Sequence, residues 1–279
     1  EENKDVDEQS LRSLVDFQIK NKIDGIVPCG TTGESPALDY EEHHRVIEIV
    51  IDAVNGKVPV IAGTGSNSTK EAIDITKKAA DAGANASLQV CPYYNKPTQE
   101  GLFQHFSAIA NAVDIPIIIY NIQGRTGINM ETGTLARLAK EHSNIIGVKE
   151  ASGNVAQMMD VISTLPKNFT VLSGDDNLTL PLMSLGGKGV ISVASNIIPK
   201  EMHQLTEYAL NGDFENAQKL HYQLLPLFKG IFIETNPIPI KAALAMKGMI
   251  KESYRLPLCG MKAENKEKLR QVLSNLKLL

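Results

Sequence analysis

The chain is 279 residues long, with a formal net charge of −4 and 43% hydrophobic side chains. That balance leaves no basic footprint for nucleic acid, no polybasic patch for a membrane surface, and no apolar run near the ~20 residues that span a bilayer. The length suits either two domains or a single α/β barrel, which routinely reaches this size. Cys29, Cys91 and Cys259 lack metal-ligand spacing and read as free thiols of a reducing, cytoplasmic compartment. The histidines form no HExxH, and His43-His44 read as helix positions, so no metal centre is expected.

In chain order, Leu11, Leu14, Val15 and Ile19 mark one face of a first helix. Gly25 to Gly30 reads as a buried strand ending in a glycine-rich turn, followed by a helix over Asp39 to Val54. Strands over Val58 to Ala62, Ala86 to Val90 and Ile115 to Tyr120 then alternate with helices over Thr69 to Ala82, capped by Ser68, and Gln99 to Val113. A helix over Glu131 to Glu141, a strand over Ile145 to Lys149 and a helix over Val155 to Leu165 come next. Strands over Phe169 to Leu172 and Gly189 to Val193 flank a helix over Leu178 to Leu185. Helices over Pro199 to Leu210, Phe214 to Ile231, Pro239 to Ile250 and Ala263 to Leu278 complete the chain.

Strict alternation predicts parallel strands with right-handed crossovers, either in an open doubly wound sheet or in a closed barrel. No GxGxxG opens a helix after the first strand, which weakens the open option. Polar residues follow many strands (Thr31-Thr32, Tyr94, Tyr120, Lys149, Asp175-Asp176), as the mouth of a barrel demands. The expected fold is therefore an α/β (β/α)8 barrel over 1–198, with the last barrel helix and a C-terminal helical extension over 199–279. Seven strands are visible, and the helix near Leu11 should follow one that would precede Glu1, so the first strand is expected to be missing from this sequence.

The stretch Asn144 to Gly153 is read as a short apolar strand delivering one lysine to its C-terminal end. Alternation predicts that Lys149 shares a face with Gly147 and Ile145, with open space left by Gly147 beneath the lysine stem. An amine so enclosed is poorly solvated, which favours its neutral, nucleophilic form. Gly30-Thr31-Thr32-Gly33-Glu34-Ser35 lies between a strand and a helix, where backbone N–H groups can cradle a carboxylate. Phenols at Tyr94 and Tyr120 can shuttle protons near such an amine, and the guanidinium of Arg125 can clamp a carboxylate.

Together GTTGES, PYYNKPTQEG, YN…GRTG, IIGVKEASG, LSGDD, GGKGVISV and NPIPIK, in this order along essentially the whole chain, resemble the dihydrodipicolinate synthase branch of the Schiff-base aldolase-like lyases. The resemblance implies a (β/α)8 barrel, a homotetramer built of two tight dimers, and condensation of pyruvate with L-aspartate 4-semialdehyde toward diaminopimelate and lysine. It implies no cofactor. By motif, Lys149 would form the imine, Tyr120 would be the central acid/base, and Thr32 with Tyr94, lent by the neighbouring subunit, would complete a proton relay. Thr31, Thr32 and Ile191 would contact pyruvate, and Arg125 the semialdehyde carboxylate. Lysine feedback is implied at Ser35, Tyr40, His43, Asn67, Glu71 and Tyr93.

The chain departs from the family pattern where Gln123 replaces a proline before Arg125, a change expected to loosen that loop. Cys29 reads as a small buried apolar residue beside GTTGES. The alternatives are a sister pyruvate-dependent aldolase acting on a 2-keto-3-deoxy sugar acid or acylneuraminate, and a silent keto-acid sensor.

Overall fold

A computed structural model describes residues 5–279. The elements run α1 (Glu8–Lys20), α2 (Tyr40–Val54), β1 (Ile61–Gly63), α3 (Thr69–Asp81), β2 (Ala86–Val90), α4 (Gln99–Ala112), β3 (Ile117–Asn121) and α5 (Gln123–Thr126). They continue with α6 (Thr132–Glu141), β4 (Ile145–Glu150), α7 (Val155–Thr164), β5 (Thr170–Ser173), α8 (Thr179–Ser184), α9 (Pro199–Leu210), α10 (Phe214–Gly230), α11 (Ile238–Met246) and α12 (Ala263–Asn275). Short polar side chains start many of these helices by accepting orphan backbone N–H groups: Asp7 for α1, Ser68 for α3, Thr98 for α4, Asn154 for α7 and Asp213 for α10. At α2, Asp39 and Glu42 form a reciprocal capping box.

The chain forms two compact units, residues 5–58 with Ser192–Leu279, and Pro59–Ile191. The second unit holds a five-stranded parallel sheet in the order β1-β2-β3-β4-β5, each strand joined to the next by a helix-containing crossover. In parallel pairing, partners side by side project to the same face. One face therefore carries Ile117 and Ile119 with Ile145, Val148 and Val171, which build the core with Leu102, Phe106, Leu135 and Met158 of the helices. The same face buries a polar knot in which the Gln89 amide nitrogen lies within 2.7–2.8 Å of the hydroxyls of Thr64, Thr76 and Ser87. In the first unit, Arg12 reaches Asp52 and Arg45 reaches Glu8, linking α1 to α2, while Leu269 and Leu273 bury one stripe of α12. No helix among the described residues is long and apolar enough to cross a membrane.

Several expected boundaries move. Gly25 to Gly30 is reduced to a single bridge residue at Ile26, because Pro28 and the left-handed Cys29 (φ 55°) end the extended run. Gly189 to Val193 likewise pairs only at Val190, which bridges Ser173; Gly186 and Gly189 there take positive φ, outside the strand region. β1 begins beyond Pro59, which has no N–H to give a ladder.

The larger correction concerns β4. Ile117 pairs with Ile145, but Ile118 pairs with Gly147, so Ile146 is an extra residue, 38% exposed, with no partner in the register. Ile145 consequently lies on the core face with Val148, and not on the face of Lys149. Gly147 leaves no open space either, since a Cβ there would sit 2.6 Å from the Thr170 carbonyl oxygen. Its glycine serves close strand approach.

Candidate active site

The second face of the sheet aligns Val90, Tyr120, Lys149 and Leu172 across four neighbouring strands. Lys149 is 9% exposed, and its Nζ lies 4.1 Å from the centroid of the Tyr120 ring. Burial pushes its ammonium from the ordinary 10.5 down to about 8, and Arg125 adds to the depression while Asp176 and Asp175 oppose it. Burial also raises the carboxyl of Asp175, reinforced by the charge of Asp176. The room for the lysine stem is made by Gly174, where a Cβ would lie 3.2 Å from Lys149 Cε and 2.4 Å from the Ala151 methyl. A small residue was expected beneath the lysine; it stands beside it, at the end of the next strand.

Directly behind this pair, Asn121 and Glu150 repeat the Tyr120–Lys149 pairing one residue on and face the opposite side. Glu150 is 1% exposed and makes no ion pair among the described residues. Neutral donors hold its carboxylate: Asn121 Nδ2 and Gln157 Nε2, each at 3.2 Å, and the Ser152 N–H at 2.7 Å. Asn121 also donates to Asn129 Oδ1 (2.9 Å) and accepts from the Met130 N–H (2.9 Å), closing the base of the loop that carries Arg125. Within that loop the residues from Gln123 form one helical turn, with Arg125 exposed near its end. None of this support was read from the sequence. The signal available was a second charged residue, Glu150, immediately after the lysine in a strand otherwise apolar.

Tyr94 is 90% exposed and held at φ 71°, a left-handed conformation uncommon for a bulky residue. Beside it Asn67 Nδ2 donates to the Tyr93 carbonyl at 3.2 Å, Asn95 donates back to the Asn67 carbonyl at 2.9 Å, and Ser66 donates to the Glu71 carboxylate. Asn67, Glu71 and Tyr93 are thus brought into one neighbourhood, with Glu71 in the first turn of α3. Ile191 donates its N–H to the Ser173 carbonyl at 2.9 Å, at the end of β5.

In the other unit, Thr31 and Thr32 lie in a 3-10 turn, Thr31–Gly33, followed by the buried, left-handed Glu34. Asn236 Nδ2 donates to Thr32 Oγ1 at 3.0 Å, a contact unforeseen because 204 residues separate the partners. Ser35 begins a second 3-10 turn, and α2 presents Tyr40 at its start and His43, buried, one turn in. Cys29 is buried, its thiol donating to the His43 carbonyl, and burial pushes it up to about 12, so it is an inert packing residue.

The sequence matches the family described as the Dihydrodipicolinate synthetase family over residues 1–276. A 4-hydroxy-tetrahydrodipicolinate synthase of Hydrogenobaculum sp. is 54% identical over 277 residues, covering 99% of this chain and 95% of the relative. Crystallised dihydrodipicolinate synthase from Aquifex aeolicus superposes with a TM-score of 0.97 at 50% identity, over 98% of this chain and 93% of that one. A DHDPS from Cyanidioschyzon merolae, solved with lysine bound, gives 0.96 at 46% identity over 98% and 93%. The fold class is that of these proteins, an α/β (β/α)8 barrel with C-terminal helices.

Proposed function

Since the chain belongs to the dihydrodipicolinate synthetase family, we propose that it condenses pyruvate with L-aspartate 4-semialdehyde, as a lyase, to 4-hydroxy-tetrahydrodipicolinate. The observation that carries the mechanism is a buried lysine, depressed to about 8, against the ring of Tyr120. Near neutral pH a useful fraction of that amine is unprotonated, whereas a solvated lysine would be almost wholly charged. The neutral nitrogen attacks the C2 carbonyl of pyruvate, and loss of water gives the imine. Loss of a C3 proton then yields the enamine, whose carbon adds to the aldehyde. Tyr120 is read as the acid/base for these transfers, with Thr32 and Tyr94 as its relay, and Thr31, Thr32 and Ile191 as pyruvate contacts. Arg125 is read as the partner of the semialdehyde carboxylate. The imine is itself the electron sink, so the chemistry calls for no further group.

The decisive assay offers pyruvate with aspartate semialdehyde against sugar-derived aldehydes. Condensation with the semialdehyde is expected. Turnover of a keto-deoxy sugar acid alone would give the chain to the sister aldolases, which the 54% identical relative named as a synthase disfavours.

The assembly is read as a homotetramer of tight dimers, with residues 199–279 as last barrel helix and extension. Tyr94, 90% exposed on its own chain, supports a role in a neighbour's site. Mixing Tyr94→Phe with Lys149→Ala chains under subunit exchange is expected to restore part of the activity, because one site then combines Lys149 with an intact Tyr94. No restoration despite demonstrated exchange sinks that role. Free thiols at Cys29, Cys91 and Cys259 support a cytoplasmic setting, which fractionation of source cells tests.

Feedback by L-lysine is read at Ser35, Tyr40, His43, Asn67, Glu71 and Tyr93, on the grouping of Asn67, Glu71 and Tyr93 and on the lysine-bound relative. Glu71 is the carboxylate available to a ligand ammonium. Millimolar L-lysine is expected to slow condensation in the wild type and much less in Glu71→Ala. A flat wild-type titration rejects the regulation, and an unchanged response in the variant rejects the site.

A further inference from the structure

We propose that Asn236 is a positioning residue that sets the direction in which the Thr32 hydroxyl passes its proton, and that the segment from Asn236 to Arg255 braces the turn carrying Thr31 and Thr32. The inference rests on the reading of Thr32 as a member of the proton relay.

The argument begins with a hydroxyl's inventory of one O–H and two lone pairs. Asn236, 5% exposed, gives an amide N–H to Thr32 Oγ1 at 3.0 Å, so one lone pair is filled from that side. An atom that accepts from Asn236 cannot also donate toward it. The O–H of Thr32 therefore points away from Asn236 and is kept for another acceptor. A threonine free to rotate would divide its time between orientations; this one has a fixed polarity.

The turn itself is held from the same segment. Glu34, two residues beyond Thr32, is buried with φ 55°, a conformation that asks for outside support in a residue with a Cβ. Lys241 of α11 supplies an ion pair to its carboxylate, and the Arg255 backbone N–H donates to the second oxygen at 3.1 Å. The Arg255 guanidinium then grips Glu42 through two bonds, at 2.6 and 2.5 Å, and donates to the Ala37 carbonyl at 2.9 Å. Tyr254, next to it, donates its phenol to the Ile238 carbonyl at 3.2 Å, tying the far end of the segment to the start of α11. Thr32 and Glu34 are thus fastened by residues 236, 241 and 255 of one C-terminal stretch. The helical extension takes part in the chemistry by fixing the orientation of a loop 204 to 221 residues away in sequence.

The test compares Asn236→Asp, Asn236→Ala and Thr32→Val in the full-length enzyme, reading kcat, KM for pyruvate and their pH profiles. An ionised aspartate can only accept, so it turns the Thr32 O–H toward itself and removes it from the relay. Asn236→Asp is expected to lower kcat by about ten- to a hundredfold at neutral pH with KM for pyruvate little changed. As pH falls and the new carboxyl takes up a proton it regains a donor, so the ratio of variant to wild-type kcat is expected to climb. Asn236→Ala loses the donor without reversing the polarity, and its smaller loss is expected to hold the same ratio at every pH. A harmless Asn236→Asp would mean that Thr32 donates to Asn236, and would overturn the proposal. So would a pH-independent loss equal to that of Asn236→Ala. Should the aspartate variant not fold, Asn236→Ala decides alone: a lower kcat at unchanged KM supports the proposal, and an unchanged kcat overturns it. Thr32→Val separates the two readings, because full activity there removes Thr32 from the relay, whereas a large loss beside silent Asn236 variants rejects only the positioning role.

Discussion

Pyruvate and borohydride together are expected to leave a reduced pyruvyl group on Lys149 and on no other lysine of the chain. Lys149 is drawn down to about 8 by burial, so it offers a neutral amine held beside a phenol. Peptide mapping of the trapped enzyme reads the result. Label elsewhere, or none on folded protein, removes the Schiff-base mechanism. Lys149→Arg is expected to abolish trapping, because a guanidinium does not shed its proton at working pH. The rate of trapping should rise with pH and level off above about 8. The same shift has a sign in stability. The folded-state value lies below the ordinary 10.5, so between about 8 and 10.5 the unfolded chain binds the extra proton and stability rises with pH. The destabilisation is fully present below that window. Relative to Lys149→Met, the wild type should gain on the order of 3 kcal/mol across it. Paired denaturation curves at the two ends of the window measure that difference.

Arg125→Ala is expected to raise KM for aspartate semialdehyde by roughly ten- to over a hundredfold, the cost of losing a charge-assisted carboxylate contact of about 1.5–3 kcal/mol. Trapping with pyruvate should be far less affected, since Arg125 lies on an exposed turn whose base is closed independently by Asn121, Asn129 and Met130. Arg125 also contributes to depressing Lys149, so its loss should move the trapping profile toward higher pH. Equal damage to trapping and condensation would assign Arg125 a structural role. The proline missing at Gln123 was expected to loosen this loop; in the structure residues 123–126 form a helical turn, closed by the Gly127 N–H on the Gln123 carbonyl at 2.9 Å.

Much of this architecture could be read from local pattern. Ser68 was legible as the cap of α3 because capping is decided within three residues. What escaped depends on partners distant in sequence. Gly147 looked like a source of space until its neighbour on β5 was known, and Gly174 revealed its purpose only beside the lysine stem. Asn236 gave no local sign of reaching Thr32. The strands expected at Gly25 and Gly189 shrink to single bridges because the backbone there takes conformations that ladders do not accept.

The unpaired Ile146 sets the parity of β4. Were β4 to pair regularly from Ile145, Gly147 would stand beside Ile119, Val148 beside Tyr120 and Lys149 beside Asn121. The lysine would then project among the packed helices, and a valine would take its place beside the phenol. One surplus residue thus changes odd to even and turns the amine through half a revolution. Anyone transplanting this lysine to another sheet must carry over its parity as well as its neighbours. A graft copying every side chain from Gly147 to Gly153 but ignoring the register upstream would present the right residues to the wrong side.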